Sequence, residues 1–83
     1  MENKIVVIFN ILKRNISVDL EIPLDITTRD LVNGLNQVFD LGVDTSDIKQ
    51  CYLKAENPIV LMRGNKLLGE FGLRNGSIIN FTE

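Results

Sequence analysis

Apolar and polar positions change rhythm several times along this chain, and each change predicts an element. Residues 4 to 12, Lys-Ile-Val-Val-Ile-Phe-Asn-Ile-Leu, concentrate β-branched and aromatic types, predicting a first strand that stops at a hairpin turn over Lys13-Arg14-Asn15. From Ile16 to Ile22 the alternation is strict, with Ile16, Val18, Leu20 and Ile22 on one face and Ser17, Asp19 and Glu21 on the other, as a half-buried strand requires. The acidic outer face of this second strand would discourage edge-to-edge pairing if it borders the sheet. Pro23 ends it, since proline cannot donate a ladder hydrogen bond. A helix start follows, with Thr27 as N-cap and Asp30 completing a capping-box variant. Leu31, Leu35, Val38 and Phe39 then form one helical stripe flanked by Val32 and Leu41, while Arg29, Asn33, Asn36 and Asp40 face water. Gly34 inside the helix suggests a close approach to the sheet, and Gly42 reads as the left-handed stop.

Beyond the polar connection Asp44-Thr45-Ser46-Asp47, residues Lys49 to Glu56 alternate again and predict a third strand. Asn57-Pro58 marks a turn, Ile59 to Met62 a short fourth strand, and Arg63-Gly64-Asn65 another turn. Leu67, Leu68, Phe71 and Leu73 are expected to plug an irregular segment into the core. Asn75-Gly76 offers the residues of a tight turn with positive φ, before a last strand from Ser77 to Thr82. The order is β-β-α-β-β-β. A helix with one apolar stripe has to lie across one face of the sheet, giving a two-layer α+β domain.

Size and composition narrow the function. Eighty-three residues can support one core, so residues 1–83 are expected to form a single domain. The net charge of −2 and the scattered Lys and Arg argue against nucleic acid as a partner. No apolar run approaches the roughly 20 residues that cross a bilayer, so membrane insertion is not expected. Met1-Glu2-Asn3-Lys4 lacks the features of a secretory signal, which points to the cytoplasm.

Catalytic chemistry has little to work with. Cys51 is the lone cysteine and there is no histidine, so neither a disulfide nor a Cys-His pair can form, and Cys51 reads as a small buried apolar side chain. The hydroxyls lack an imidazole to activate them, Asp44 and Asp47 lack the context of a calcium loop, and the glycines match no nucleotide fingerprint. No catalytic residue, metal or cofactor is expected.

The strands hold more information. If Ile5, Val7, Phe9 and Ile11 face the helix, then Val6, Ile8 and Leu12 must face away, because side chains alternate across a strand. In the last strand the same parity turns Ile79 and Phe81 inward and Ile78 and Asn80 outward. The third strand presents Tyr52 and Lys54.

This order resembles ubiquitin and its relatives, the ubiquitin-like β-grasp fold, in which the first and last strands are parallel neighbours at the centre of a mixed sheet. The stretch from Leu68 to Phe81, Leu-Gly-Glu-Phe-Gly-Leu-Arg-Asn-Gly-Ser-Ile-Ile-Asn-Phe, is similar to the ubiquitin-like approach to the final strand. Within that superfamily, Ile5-Val6-Val7-Ile8-Phe9-Asn10, Val18-Asp19-Leu20-Glu21-Ile22-Pro23 and Arg74-Asn75-Gly76-Ser77-Ile78-Ile79 resemble the YukD/EsaB group, small ubiquitin-like proteins associated with bacterial type VII secretion. The resemblance implies a non-catalytic, cytoplasmic accessory or regulatory protein that docks on a cytoplasmic domain of a secretion-system membrane component.

With ubiquitin-like strand order, Val6, Ile8, Tyr52 and Ile78 are expected side by side, and with Lys54 and Asn80 they form the candidate protein-binding face. Two other readings remain open: β-formers chosen for strand propensity, or a homodimer contact. One departure from ubiquitin concerns mechanism. Conjugation and sulfur transfer both use a free Gly-Gly tail, whereas Phe81-Thr82-Glu83 is expected to finish within the last strand, which disfavours the sulfur-carrier or modifier alternative. A β-grasp protein unrelated to secretion is the other alternative.

Overall fold

A computed structural model of the chain describes residues 3 to 82; expectations that rest on Met1, Glu2 and Glu83 lie outside them. Five strands, β1 (Lys4–Ile11), β2 (Ile16–Pro23), β3 (Tyr52–Glu56), β4 (Val60–Arg63) and β5 (Ile78–Phe81), form one mixed sheet, and one helix, α1 (Thr28–Phe39), crosses it. The sheet order is β2-β1-β5-β3-β4. Strands β1 and β5 run parallel at its centre, while the other neighbours are antiparallel. This is the ubiquitin-like α+β β-grasp.

The alternation in β1 builds the core. Val7, Phe9 and Ile11 are fully buried and meet Leu31, Val32 and Leu35 of α1, with Leu53, Met62, Leu68 and Ile79 filling the remaining space. Phe9 and Phe39 pack ring against ring, their centroids 5.4 Å apart, a favourable tilted arrangement. The helix starts as its sequence predicts: Thr27 Oγ1 accepts from the Asp30 N–H at 3.1 Å, and the Asp30 carboxylate accepts from the Thr27 N–H at 3.2 Å.

Several local expectations are corrected. The left-handed residue that ends α1 is Asp40, at φ 53°, ahead of Gly42. Gly34 is exposed, and a Cβ there would meet nothing within 4 Å, so it is not a point of close approach to the sheet. Val38 shares the period of the apolar stripe but is 75% exposed, because it lies on the side of the helix next to the β2 edge, in an open groove. Leu12 leaves the strand for a 3-10 turn over Leu12–Arg14, and Leu67 is largely exposed while Leu68 and Leu73 take the core positions. Arg29 and Asn36 do not simply face water. The Arg29 Nε donates to the Thr45 carbonyl at 2.9 Å, and the Asn36 amide both donates to and accepts from the Val43 backbone, at 3.0 and 3.1 Å. Strand β3 begins at Tyr52, after a 3-10 turn over Ile48–Gln50, and β4 is shifted one residue toward the C-terminus of its expected span.

Candidate docking surface

The sheet face opposite α1 is assembled by the register of its central strands. The turn before β5 clamps it to β1: Gly76 N–H donates to the Val6 carbonyl and Ile8 N–H to the Ser77 carbonyl, each at 2.9 Å. The Val6 N–H donates to the Asn75 side chain at 2.8 Å. These bonds set Ile8 opposite Ile78 and Asn10 opposite Asn80. Val6 lies two residues along the same face, and no element of the described chain covers the three apolar side chains. Val6 is 45% exposed, and Ile8 and Ile78 are half-buried by each other and their neighbours.

Tyr52 does not join them. Strand β3 meets β5 with Glu56 opposite Ile78 and Lys54 opposite Asn80. Tyr52 is therefore four residues further along β3 than the neighbour of Ile78, roughly 13 Å at the strand rise. The ground between is polar. Asn10 Nδ2 donates to Asn80 Oδ1 at 3.0 Å, and Asn80 Nδ2 donates to Glu56 Oε2 at 2.8 Å. The expected single patch is thus two: Val6, Ile8 and Ile78 on the β1–β5 side, and Tyr52 on the β3–β4 side, with Asn80 and Lys54 between.

Tyr52 has different company. It lines a concavity of about 510 Å³ with Ile48, Lys49, Leu61, Arg63 and Gly64. Ile48 and Leu61 were not singled out from the sequence. Parity would have placed Leu61 outward, since it alternates with the buried Met62, but Ile48 sits in an irregular connection whose path no local pattern dictates.

Charge divides the face as well. Asp19 and Glu21 stand opposite Ile8 and Val6, whereas Lys54 and Arg63 stand beside Leu61 and Tyr52. Carboxylates thus flank Ile8 and Val6, and cations flank Leu61 and Tyr52.

Cys51 is fully buried, with its sulfur 3.6 Å from the Asp47 carbonyl oxygen and 3.8 Å from that of Thr45. Burial pushes its thiol pKa up, nearby Arg29 lowers it in part, and the carboxylates of Asp47 and Asp44 raise it further. A thiol held in this state is a poor nucleophile. Among the described residues no three metal-ligating side chains gather, and no helix is long and apolar enough to cross a membrane.

The profile of the family described as WXG100 protein secretion system (Wss), protein YukD, matches residues 6–80. The chain belongs to the YukD family. That match takes in the helix and reaches into all five strands, and Val6, Ile8 and Ile78 lie within it. No curated protein matches the chain. Among solved structures, the YukD chain is similar to the C-terminal ubiquitin-like domain of mouse tubulin-specific chaperone e. The two share 11% identity and a TM-score of 0.73, over 98% of this chain and 87% of that one. At that identity the likeness establishes the ubiquitin-like fold and nothing further.

Proposed function

We propose that this YukD-family chain is a non-catalytic protein-binding module, a cytoplasmic accessory or regulatory component of the secretion system for which its family is described. It docks through the β1–β5 side of its open sheet face on a cytoplasmic domain of a membrane component of that system. The observation that carries the reading is the pairing of Ile8 with Ile78 beside exposed Val6, three contiguous aliphatic side chains on a face that α1 leaves free. Water around such a patch is unfavourable, and a partner surface removes it. Asn80 and Lys54 bound the patch and supply hydrogen bonding at its rim, in keeping with interfaces whose apolar centre is ringed by polar groups.

The non-catalytic part of the proposal rests on a thiol buried away from solvent and on the lack of any imidazole in the sequence. The test is co-purification of secretion-system components with the wild-type chain and with Ile8→Asp and Ile78→Asp. Each variant is expected to lose those components while its circular dichroism stays native. Undiminished recovery by both would remove the β1–β5 patch from the interface.

A further inference from the structure

One strand beyond that patch, β2 borders the sheet and α1 runs beneath it. The backbone of β1 directs its peptide groups alternately to its two neighbours. The Val6 carbonyl and the Ile8 N–H serve β5, so Ile5, Val7 and Phe9 serve β2 and bond the register partners Ile22, Leu20 and Val18. Ser17, Asp19 and Glu21 are then the β2 residues whose N–H and C=O groups point outward, away from the sheet. Their side chains lie on the outer face, while Val18 and Leu20 on the inner face are only half-buried.

Below this edge is an apolar groove of about 270 Å³ between β2 and α1, floored by Leu20, Ile22, Leu31 and Leu35 and bordered by Val38. Three features converge there. Val38 is 75% exposed despite its place in the helix stripe, Gly34 opens onto empty space, and Val18 and Leu20 on the inner face of β2 are only half-buried. One more strand alongside β2 would bond the outward peptide groups of Ser17, Asp19 and Glu21. Its inward side chains would fall into the groove and over Val38.

Charge selects what that strand is. Asp30 at the helix side of the groove is acidic, and Asp19 and Glu21 put two more carboxylates on the outer face of the open edge. Lys4 lies 3.8 Å from Glu21, but both side chains are largely exposed, so the pair is weak and screened. A second copy pairing edge to edge would bring Asp19 and Glu21 against Asp19 and Glu21, and like charges directly opposite repel. We propose that the β2 edge and the β2–α1 groove form a second binding site, separate from the β1–β5 patch. It receives an extended segment of a partner protein in which aliphatic residues alternate with Lys or Arg, added to the sheet as a sixth strand.

The test uses the full chain, isotopically labelled, titrated in NMR with a capped eight-residue peptide of alternating valine and lysine, and separately with one of alternating valine and glutamate. The basic peptide is expected to shift the amides of Ser17, Asp19 and Glu21, slow their exchange with solvent, and shift the Val38 methyls, with affinity at least about tenfold above that of the acidic peptide. The double variant Asp19→Lys, Glu21→Lys should reverse the preference. Val38→Asp should weaken binding, whereas Ile78→Asp should leave it intact, which separates this site from the outer patch. The proposal is overturned by the absence of shifts at these edge amides at millimolar peptide, by equal response to both peptides, or by edge-amide protection that grows with protein concentration when no peptide is present.

Discussion

Asn10 and Asn80 face each other across the parallel β1–β5 pair, with the Asn10 Nδ2 donating to the Asn80 Oδ1 at 3.0 Å and the Asn80 Nδ2 passing the contact on to Glu56 at 2.8 Å. This chain of amides interrupts the outer face at its middle. Without it, the apolar ground of Val6, Ile8 and Ile78 would extend along β5 as far as Lys54.

A substitution tests that role. Asn80→Val keeps strand propensity and removes the bridge, leaving Asn10 and Glu56 able to turn to water. Folding stability should therefore change by no more than about 1 kcal/mol, while the enlarged apolar patch favours association. The expected outcome is a sedimentation coefficient that rises with concentration more steeply than that of the unsubstituted chain. An unchanged profile would mean that the amide row does not limit self-association.

The end of α1 offers a second prediction. The helix has no basic residue in its last turn, and its cation comes from the β1–β2 hairpin: the Arg14 guanidinium donates to the carbonyls of both Phe39 and Asp40. Two otherwise unpaired carbonyls and the negative end of the helix dipole are satisfied at once. Arg14→Ala should lower stability by about 1 kcal/mol, because these exposed bonds compete with water. The melting temperature should fall by about 4–8 °C for a domain of this size. Arg14→Lys should recover less than half of the loss in a urea melt, since an ammonium lacks the fork that reaches both carbonyls.

Much of the fold could be read from the residues because it depends on local periods. The two-residue period of β1 and β5 sends Val7, Phe9 and Ile79 inward and Val6, Ile8 and Ile78 outward, whatever lies next to them. Register is another matter. Whether Tyr52 or Glu56 falls beside Ile78 depends on how the long crossover and two turns position β3 against β5, and no short window encodes that. Val38 illustrates the same limit in the helix. Its spacing places it on the apolar stripe, but the lateral position of α1 over the strands decides that β2 stops short of it. Capping behaved in both ways: the Thr27–Asp30 box is contained in four consecutive residues, while the Arg14 cap joins positions 25 apart.

Ser77 is a polar residue that sequence patterning treats as the first residue of a strand, yet it is fully buried. Its hydroxyl donates to the Asn57 carbonyl and accepts from the Arg74 N–H at 3.0 Å, tying the turn before β4 to the turn before β5. Ser77→Ala would remove a partner from each of two part-buried backbone groups, which costs about 1–2 kcal/mol. The loss should appear in urea denaturation as a lower midpoint with an unchanged slope, and the Arg74 amide should exchange faster than in the unsubstituted chain.

Cys51 predicts how stability responds to alkali. Burial raises its thiol pKa above the ordinary 9.0 in the folded chain, whereas the unfolded chain ionises near that ordinary value. Below it, both states hold the proton and stability is at its full value. Above it, the unfolded state loses its proton first, so stability falls as pH rises from the unfolded pKa toward the raised folded one. The slope cannot exceed that of one proton. In Cys51→Ala the thiol is gone, and although the vacated volume lowers stability at neutral pH by about 1 kcal/mol, the alkaline decline should be shallower. Urea melts of both chains between neutrality and the alkaline limb measure the difference, and parallel pH profiles would mean that Cys51 is as easily ionised folded as unfolded. The same protection predicts that a thiol reagent modifies the native chain at the rate of local opening, and the denatured chain without delay.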